Sequence, residues 1–152
     1  MTIPYGDVER WLTDLPEWRT RLETLKVELS HIPGLAQRFE QVAIYGKGQK
    51  NEAILNEVIR RLQAKEIEIP FLQLKIEILQ KAIGVLPPEE RQFVEDKYEH
   101  KLATPFLLER LDMPPRSFYR LRRRALERVY RMVGGKDSVL WLDDRFFSGD
   151  ER

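Results

Sequence analysis

Apolar residues recur through the first third of the chain at coiled-coil spacing. Trp11, Leu15, Trp18, Leu22, Leu25 and Leu29 follow one another by 4, 3, 4, 3 and 4 positions, the a/d seam of a heptad repeat. Asp14 with Glu17 three positions on has the form of a capping box, and Pro16 suits a first helical turn. The pattern therefore predicts a helix that starts near Asp14 and is closed by Pro33-Gly34. A second seam runs through Leu55, Val58, Leu62, Lys65, Ile69, Leu72, Ile76, Leu79 and Ile83, apolar everywhere except at Lys65. It predicts a helix over about 51–83. Pro70 interrupts it, and Ile67, Ile69 and Phe71, then Leu72, Leu74, Ile76 and Ile78, alternate as a strand would. The heptad outlasts the usual strand, so a kinked helix is the expectation. The stretch from His31 to Lys50 reads as a flexible connector, and Gly46-Lys47-Gly48 lacks the spacing of a phosphate-binding loop. The two helices fold back as an antiparallel hairpin or pair with a second copy of the chain.

The pattern changes after Val85. Pro88, Glu89 and Glu90 supply first-turn chemistry for a helix whose inner face is Phe93, Val94 and Tyr98, and His100-Lys101 ends it. A short helix follows, with Thr104 as N-cap and Pro105 at the first helical position, carrying Phe106, Leu107, Leu108 and Leu111. Asp112-Met113-Pro114 is a tight turn in which Asp takes the left-handed conformation. The last helix runs from about Pro115 to Val133 and is ended by Gly134-Gly135. Phe118, Leu121, Ala125 and Val129 share one of its faces, with Leu126 and Met132 beside them. Arg116, Tyr119, Arg120 and Arg123 share the other, at i, i+3, i+4 and i+7.

Charge sharpens this division. The 152 residues hold 26 basic and 25 acidic side chains, a net of +1, which by itself argues against nucleic acid. Divided along the chain, the balance is even up to Val85, eleven basic against eight acidic from Leu86 to Val133, and three against five beyond. Arg116, Arg120, Arg122, Arg123, Arg124, Arg128 and Arg131 face Glu127 alone within 116–131. Arginine offers planar paired donors that match phosphates and guanine edges. A short helix, a tight turn and an arginine-faced helix suit the DNA major groove, which is about 12 Å wide and admits one helix.

Leu86-Pro87-Pro88-Glu89-Glu90-Arg91 followed by KLATPFLLERLDMPPRSFYRLRRRALERV (101–129) resembles region 4 of sigma-70-type factors, without gaps. Leu102, Leu107, Leu111, Met113, Ser117, Phe118, Arg124, Ala125 and Leu126 occupy matching positions. Asp112, Pro114 and Leu108 stand where that family has Gly, Ser and Ala. In layout, from about Trp11 to Val133, the chain is also similar to ArpU-like phage regulators, which join a helical coiled-coil part to a sigma-like helix-turn-helix. The resemblance implies that Pro115, Arg116 and Arg120 meet bases and that Tyr119 meets a phosphate. It also raises contact with RNA polymerase and a phage or prophage setting in a bacterial host.

Other chemistry is thinly represented. With no cysteine, disulfides, thiolate metal sites and cysteine nucleophiles are excluded. His31 and His100 lack carboxylate partners at ligand spacing, and no nucleophile–base constellation is legible, so neither a metal, a cofactor nor an enzyme is expected. MTIPYGDVERW lacks the charge and apolar run of a signal peptide, and no apolar run approaches bilayer length, so the expected location is cytoplasmic and away from membranes. Val139–Phe147 is too apolar for plain solvated chain. It docks on the protein's own helices, binds a partner, or lies as an acidic cover over the arginine helix.

The expectation is thus an all-α protein in three parts: a helical coiled-coil or hairpin region (1–84) for oligomerisation or partner binding, a helix-turn-helix (85–134), and an acidic-aromatic tail (135–152). It would regulate transcription by binding double-stranded DNA, with Pro115, Arg116 and Arg120 at bases and Thr104, Tyr119, Arg123, Arg124 and Arg128 at phosphates. Arg122 and Arg131 would add charge at the flanks. Four to six phosphate contacts imply a log K against log salt slope of about −4 to −5. The alternatives are a small-terminase-like packaging subunit and a coiled-coil adaptor that binds no DNA.

Overall fold

The computed structural model describes the backbone of residues 2–45 and 49–142, and the side chains of these except at 32–45, 49–52, 54 and 55. The fold is all-α, with no strand among the described residues. Helix α1 spans Tyr5–Tyr45 and α2 spans Gln49–Gly84. Helix α3 (Pro88–Val94) runs into one π-helical turn (Glu95–Glu99), followed by α4 (Thr104–Leu111) and α5 (Pro115–Met132). Two short 3-10 turns, Gly135–Asp137 and Val139–Trp141, complete the described chain.

Helix α1 begins nine residues before the expected Asp14 start. The Pro4 carbonyl accepts from the amides of Asp7 and Val8, each at 3.1 Å. Val8, Trp11, Leu12 and Leu15 are all at most 3% exposed. Their burial extends the helix backwards past the local capping signal, so Asp14 and Pro16 lie in its interior. Asp14 has its pKa raised, first by burial and then by Glu17. The Pro33-Gly34 stop is also overridden, because α1 continues to Tyr45. A proline removes one amide and crowds the preceding turn, but good helix formers on its far side still propagate the helix. The expected connector from His31 to Lys50 is therefore largely helical, and Gly46-Lys47-Gly48 lies outside the described residues.

Helix α2 passes through Pro70 and prevails over the strand reading. It buries Leu72, Ile76 and Leu79 at 1%, 6% and 0% exposure while leaving Ile67 and Leu74 outside at 50% and 43%, a division with helical rather than alternating period.

The described chain forms two compact units. One comprises the α1–α2 hairpin from Arg19 to Gln73. There Arg21 pairs with Glu68 at 3.2 Å and Glu28 with Lys65 at 2.5 Å, so advancing along α1 means retreating along α2: the pairing is antiparallel. Lys65, the polar exception in the second seam, is used in this cross-helix pair.

The other unit joins residues 1–18 to 74–142. At its centre Phe93 meets Tyr98 and Phe118 edge-on, with ring centroids 6.0 and 5.4 Å apart. Trp18, half-buried on the first seam, carries the Lys75 ammonium 4.1 Å over its ring. Pro88 with Glu89 and Glu90 opens α3 as expected. The N-cap of α4 is Ala103, one residue before the expected Thr104, whose hydroxyl instead accepts from Lys97 Nζ at 3.3 Å. Asp112 is left-handed as expected, with φ 49° and ψ 52°. After α5, Gly134 at φ 110° reverses the chain, and an added Cβ there would sit 3.3 Å from Ser138 Cα. Gly135 then lies against Tyr130, which is 7% exposed, while Met132, expected beside the inner face, is 46% exposed. The returning chain covers one and not the other. Leu140 is buried, and Trp141 stands edge-on to Trp11 at 4.8 Å and donates to the Gly135 carbonyl at 3.0 Å. Leu140 and Trp141 are therefore docked on the protein itself, while Leu142 is exposed; residues 143–147 of the expected segment lie outside the described residues.

Candidate nucleic-acid interface

Helix α5 carries the arginine cluster, and its angular layout sorts the cluster into two groups. Phe118, Leu121, Ala125 and Val129 are at most 2% exposed and define its inner face. At 100° per residue, Arg116, Arg120 and Arg123 fall within about 60° of one another on the opposite face. Tyr119 and Arg124 border them. Pro115, Arg116, Tyr119, Arg120, Arg123 and Arg124 are all exposed. Tyr119 is 54% exposed and is steadied by an edge-on contact with Phe118 at 5.3 Å. Among the described residues no side chain of the arginines 116, 120, 123, 124 and 131 makes an ion pair or hydrogen bond.

Arg122 and Arg128 lie about 120° to either side of Arg116, at the two borders of the inner face. Each meets a carboxylate from another helix. Arg122 pairs with Glu9 of α1. Arg128 Nε lies 3.2 and 3.1 Å from the two carboxylate oxygens of Glu90 in α3. The Glu90 side chain is 5% exposed. Beside these pairs, Tyr5 donates to Glu127 Oε1 at 2.6 Å, and that bond, ahead of partial desolvation, raises the phenol pKa.

Helix α4 is anchored to the π-helical turn. Leu107 is fully buried, and Arg110 Nε lies 3.5 Å from Oδ2 of Asp96, which is itself wholly buried and accepts from Gln92 at 3.0 Å. Thr104, expected at a phosphate, is half-buried in the first turn of α4 with Lys97 on its hydroxyl.

Arg116 and Arg120, expected at bases, thus share one open face with Tyr119, Arg123 and Arg124, whereas Pro115, also expected at a base, is exposed at the helix start about 100° away from Arg116. Arg128 stands apart, in its pair with Glu90. Sequence patterning did not reveal Glu9, Glu90 or Tyr5 as partners of the arginine-rich segment, nor Asp96 as the partner of Arg110. Glu90 reads locally as first-turn chemistry, and Glu9 is more than a hundred residues from Arg122. The one available hint is the placement of Asp96 between Val94 and Tyr98, both inner-face residues.

His31 and His100 are both exposed. No group of three or more His, Cys, Asp or Glu suited to a metal ion occurs among the described residues, and none of their helices is long and apolar enough to cross a membrane. No protein-family model, curated protein or solved structure matches the sequence.

Proposed function

We propose that this protein is a sequence-specific DNA-binding regulator of transcription, acting in a phage or prophage setting, with α4, the Asp112 turn and α5 serving as a helix-turn-helix. The observation that carries the reading is the face of α5 on which Arg116, Arg120, Arg123 and Arg124 are exposed without a partner, opposite a face that is core. Guanidinium groups held on a rigid helix lose little freedom when they meet a planar or tetrahedral acceptor, and they match guanine edges and phosphates.

In this reading the N-terminal part of α5 enters the major groove. Arg116 and Arg120, one turn apart, reach base edges, and each two-pronged contact contributes about 1–3 kcal/mol of discrimination. Pro115 has no amide donor and offers apolar contact of the kind a thymine methyl takes. Tyr119, Arg123 and Arg124 hold phosphates and set the register, with Thr104 at the start of α4 as a further phosphate contact. The sigma-like resemblance of 86–129 supports the same assignment.

Selection of bound duplexes from a random pool tests the reading. A recovered consensus is the expected result, and Arg120→Ala then relaxes one base position, whereas Arg123→Ala weakens all sequences alike. With Arg123, Arg124 and Arg131 as the cations left for phosphates, the log K against log salt slope is about −2 to −3 per bound chain. Failure to bind any duplex at low salt overturns the reading and favours an adaptor role for the hairpin.

A further inference from the structure

We infer that Glu9 and Glu90 withhold Arg122 and Arg128 from nucleic acid, confining the cationic surface of α5 to the single face that carries Arg116, Arg120 and Arg123. This rests on the reading of α5 as the DNA-contacting helix and assigns a specificity role to two acidic residues outside it.

The geometry supports the assignment twice, independently. Arg122 and Arg128 sit at opposite borders of the buried face, and each is met by a carboxylate from a different element, α1 in one case and α3 in the other. Glu90 is the stronger holder. Its carboxylate is nearly wholly buried, and both of its oxygens lie within 3.2 Å of Arg128 Nε. The pair uses Nε alone and the Arg128 side chain is 49% exposed, so a phosphate that drew the guanidinium away from Glu90 would leave that carboxylate buried and unpaired, which is costly. The Glu9–Arg122 pair is more open, with side chains 30% and 33% exposed, so its hold is weaker and more easily released.

The consequence follows from how charge enters DNA binding. Non-specific affinity depends almost entirely on the number of phosphates neutralised, whereas specific affinity adds base contacts. Two more free arginines would strengthen binding to every sequence without improving the reading of any. Neutralising them internally lowers the non-specific background, which raises the ratio of specific to non-specific binding that matters in a genome.

The test measures binding of the full chain to a random-sequence duplex across a salt series. Glu9→Gln releases Arg122 and steepens the log K against log salt slope by about 0.9, the value of one added phosphate contact. Adding Arg122→Ala to Glu9→Gln cancels that gain. Glu90→Gln, with and without Arg128→Ala, repeats the experiment at the other border, and helical circular dichroism verifies the fold of each variant. Glu23→Gln changes the net charge equally from a site in the hairpin and leaves the slope in place. A slope unchanged in both Glu9→Gln and Glu90→Gln, or equally steepened in Glu23→Gln, overturns the inference while leaving the DNA-binding reading intact. Absence of salt-dependent binding by the wild-type chain overturns both.

Discussion

Asp112 holds a left-handed backbone between α4 and α5, at φ 49° and ψ 52°. Asparagine and aspartate tolerate this region better than most residues, but the Cβ still crowds the carbonyl that follows. Glycine has no such clash. Asp112→Gly should therefore stabilise the fold by up to about 1 kcal/mol, the low end of the left-handed penalty. A rise in melting temperature of roughly 2–4 °C would register it.

Tyr98 presents the opposite case: its ring packs on Phe93 while its buried hydroxyl has no hydrogen-bond partner. Burial drives the phenol pKa well above its ordinary value of 10.0. A group whose pKa is raised on folding contributes stability that is complete below the unfolded value and lost as pH rises beyond it. Tyr5, raised chiefly by its bond to Glu127, acts in the same direction. The protein should lose stability progressively above pH 10. Tyr98→Phe should both raise stability at neutral pH, by about 1 kcal/mol for removing an unpaired buried hydroxyl, and flatten that alkaline loss in pH-dependent thermal melts.

At the scale of elements, the chain's helices differ in how far local signals govern them. The start of α3 and both ends of α5 lie where prolines, glycines and acidic first-turn residues place them. Those of α1 do not, because the burial of Val8, Trp11 and Leu12 outweighs a capping box and helix propagation outweighs a Pro-Gly pair. In α2 the seam tolerates Pro70, which is exposed and lacks an amide to donate. Pro70→Ala should restore one backbone bond and relieve the crowding of the preceding turn, raising stability by up to about 3 kcal/mol. An increase in helical signal together with a higher melting temperature is the expected result, and a lower melting temperature would mean that the surrounding packing depends on the proline. The hairpin has an acid-sensitive component too. Glu28 has its pKa lowered by its bond to Lys65 and Glu57 by Arg60 and Arg61, so their contributions are present above the usual Glu value of 4.5 and lost as pH falls through the lowered values.

At the scale of the molecule, the arginine helix belongs to a unit that the linear sequence divides. Residues 1–18 and the end of α2 pack with 86–142. Trp11 meets Trp141, Tyr5 meets Glu127 and Glu9 meets Arg122. A fragment of residues 85–142 keeps α3 to α5 but loses Val8, Trp11, Leu12, Leu15, Ile76 and Leu79, all buried in the full chain. Burying one such side chain contributes roughly 1.5–3 kcal/mol, so the fragment should melt well below the full chain or fail to fold, as followed by circular dichroism. A fragment as stable as the full chain would show that the N-terminal turns add little.

Short-range patterning along the chain encodes the helices and their faces. Heptad spacing yields two long helices, prolines and glycines punctuate the C-terminal third, and the order of residues along 115–132 separates an apolar face from a basic one. Which of the seven similar arginines remain unpaired depends on long-range packing. Helical spacing sets Arg122 and Arg128 at the borders of the inner face, but nothing in it shows that they differ from Arg116 and Arg120 in being paired. They differ because Glu9 and Glu90, distant in the chain, arrive beside them when α1 and α3 pack on α5. A carboxylate neutralises an arginine through a distance in space of a few ångströms, and sequence separation carries no information about that distance until the core has formed.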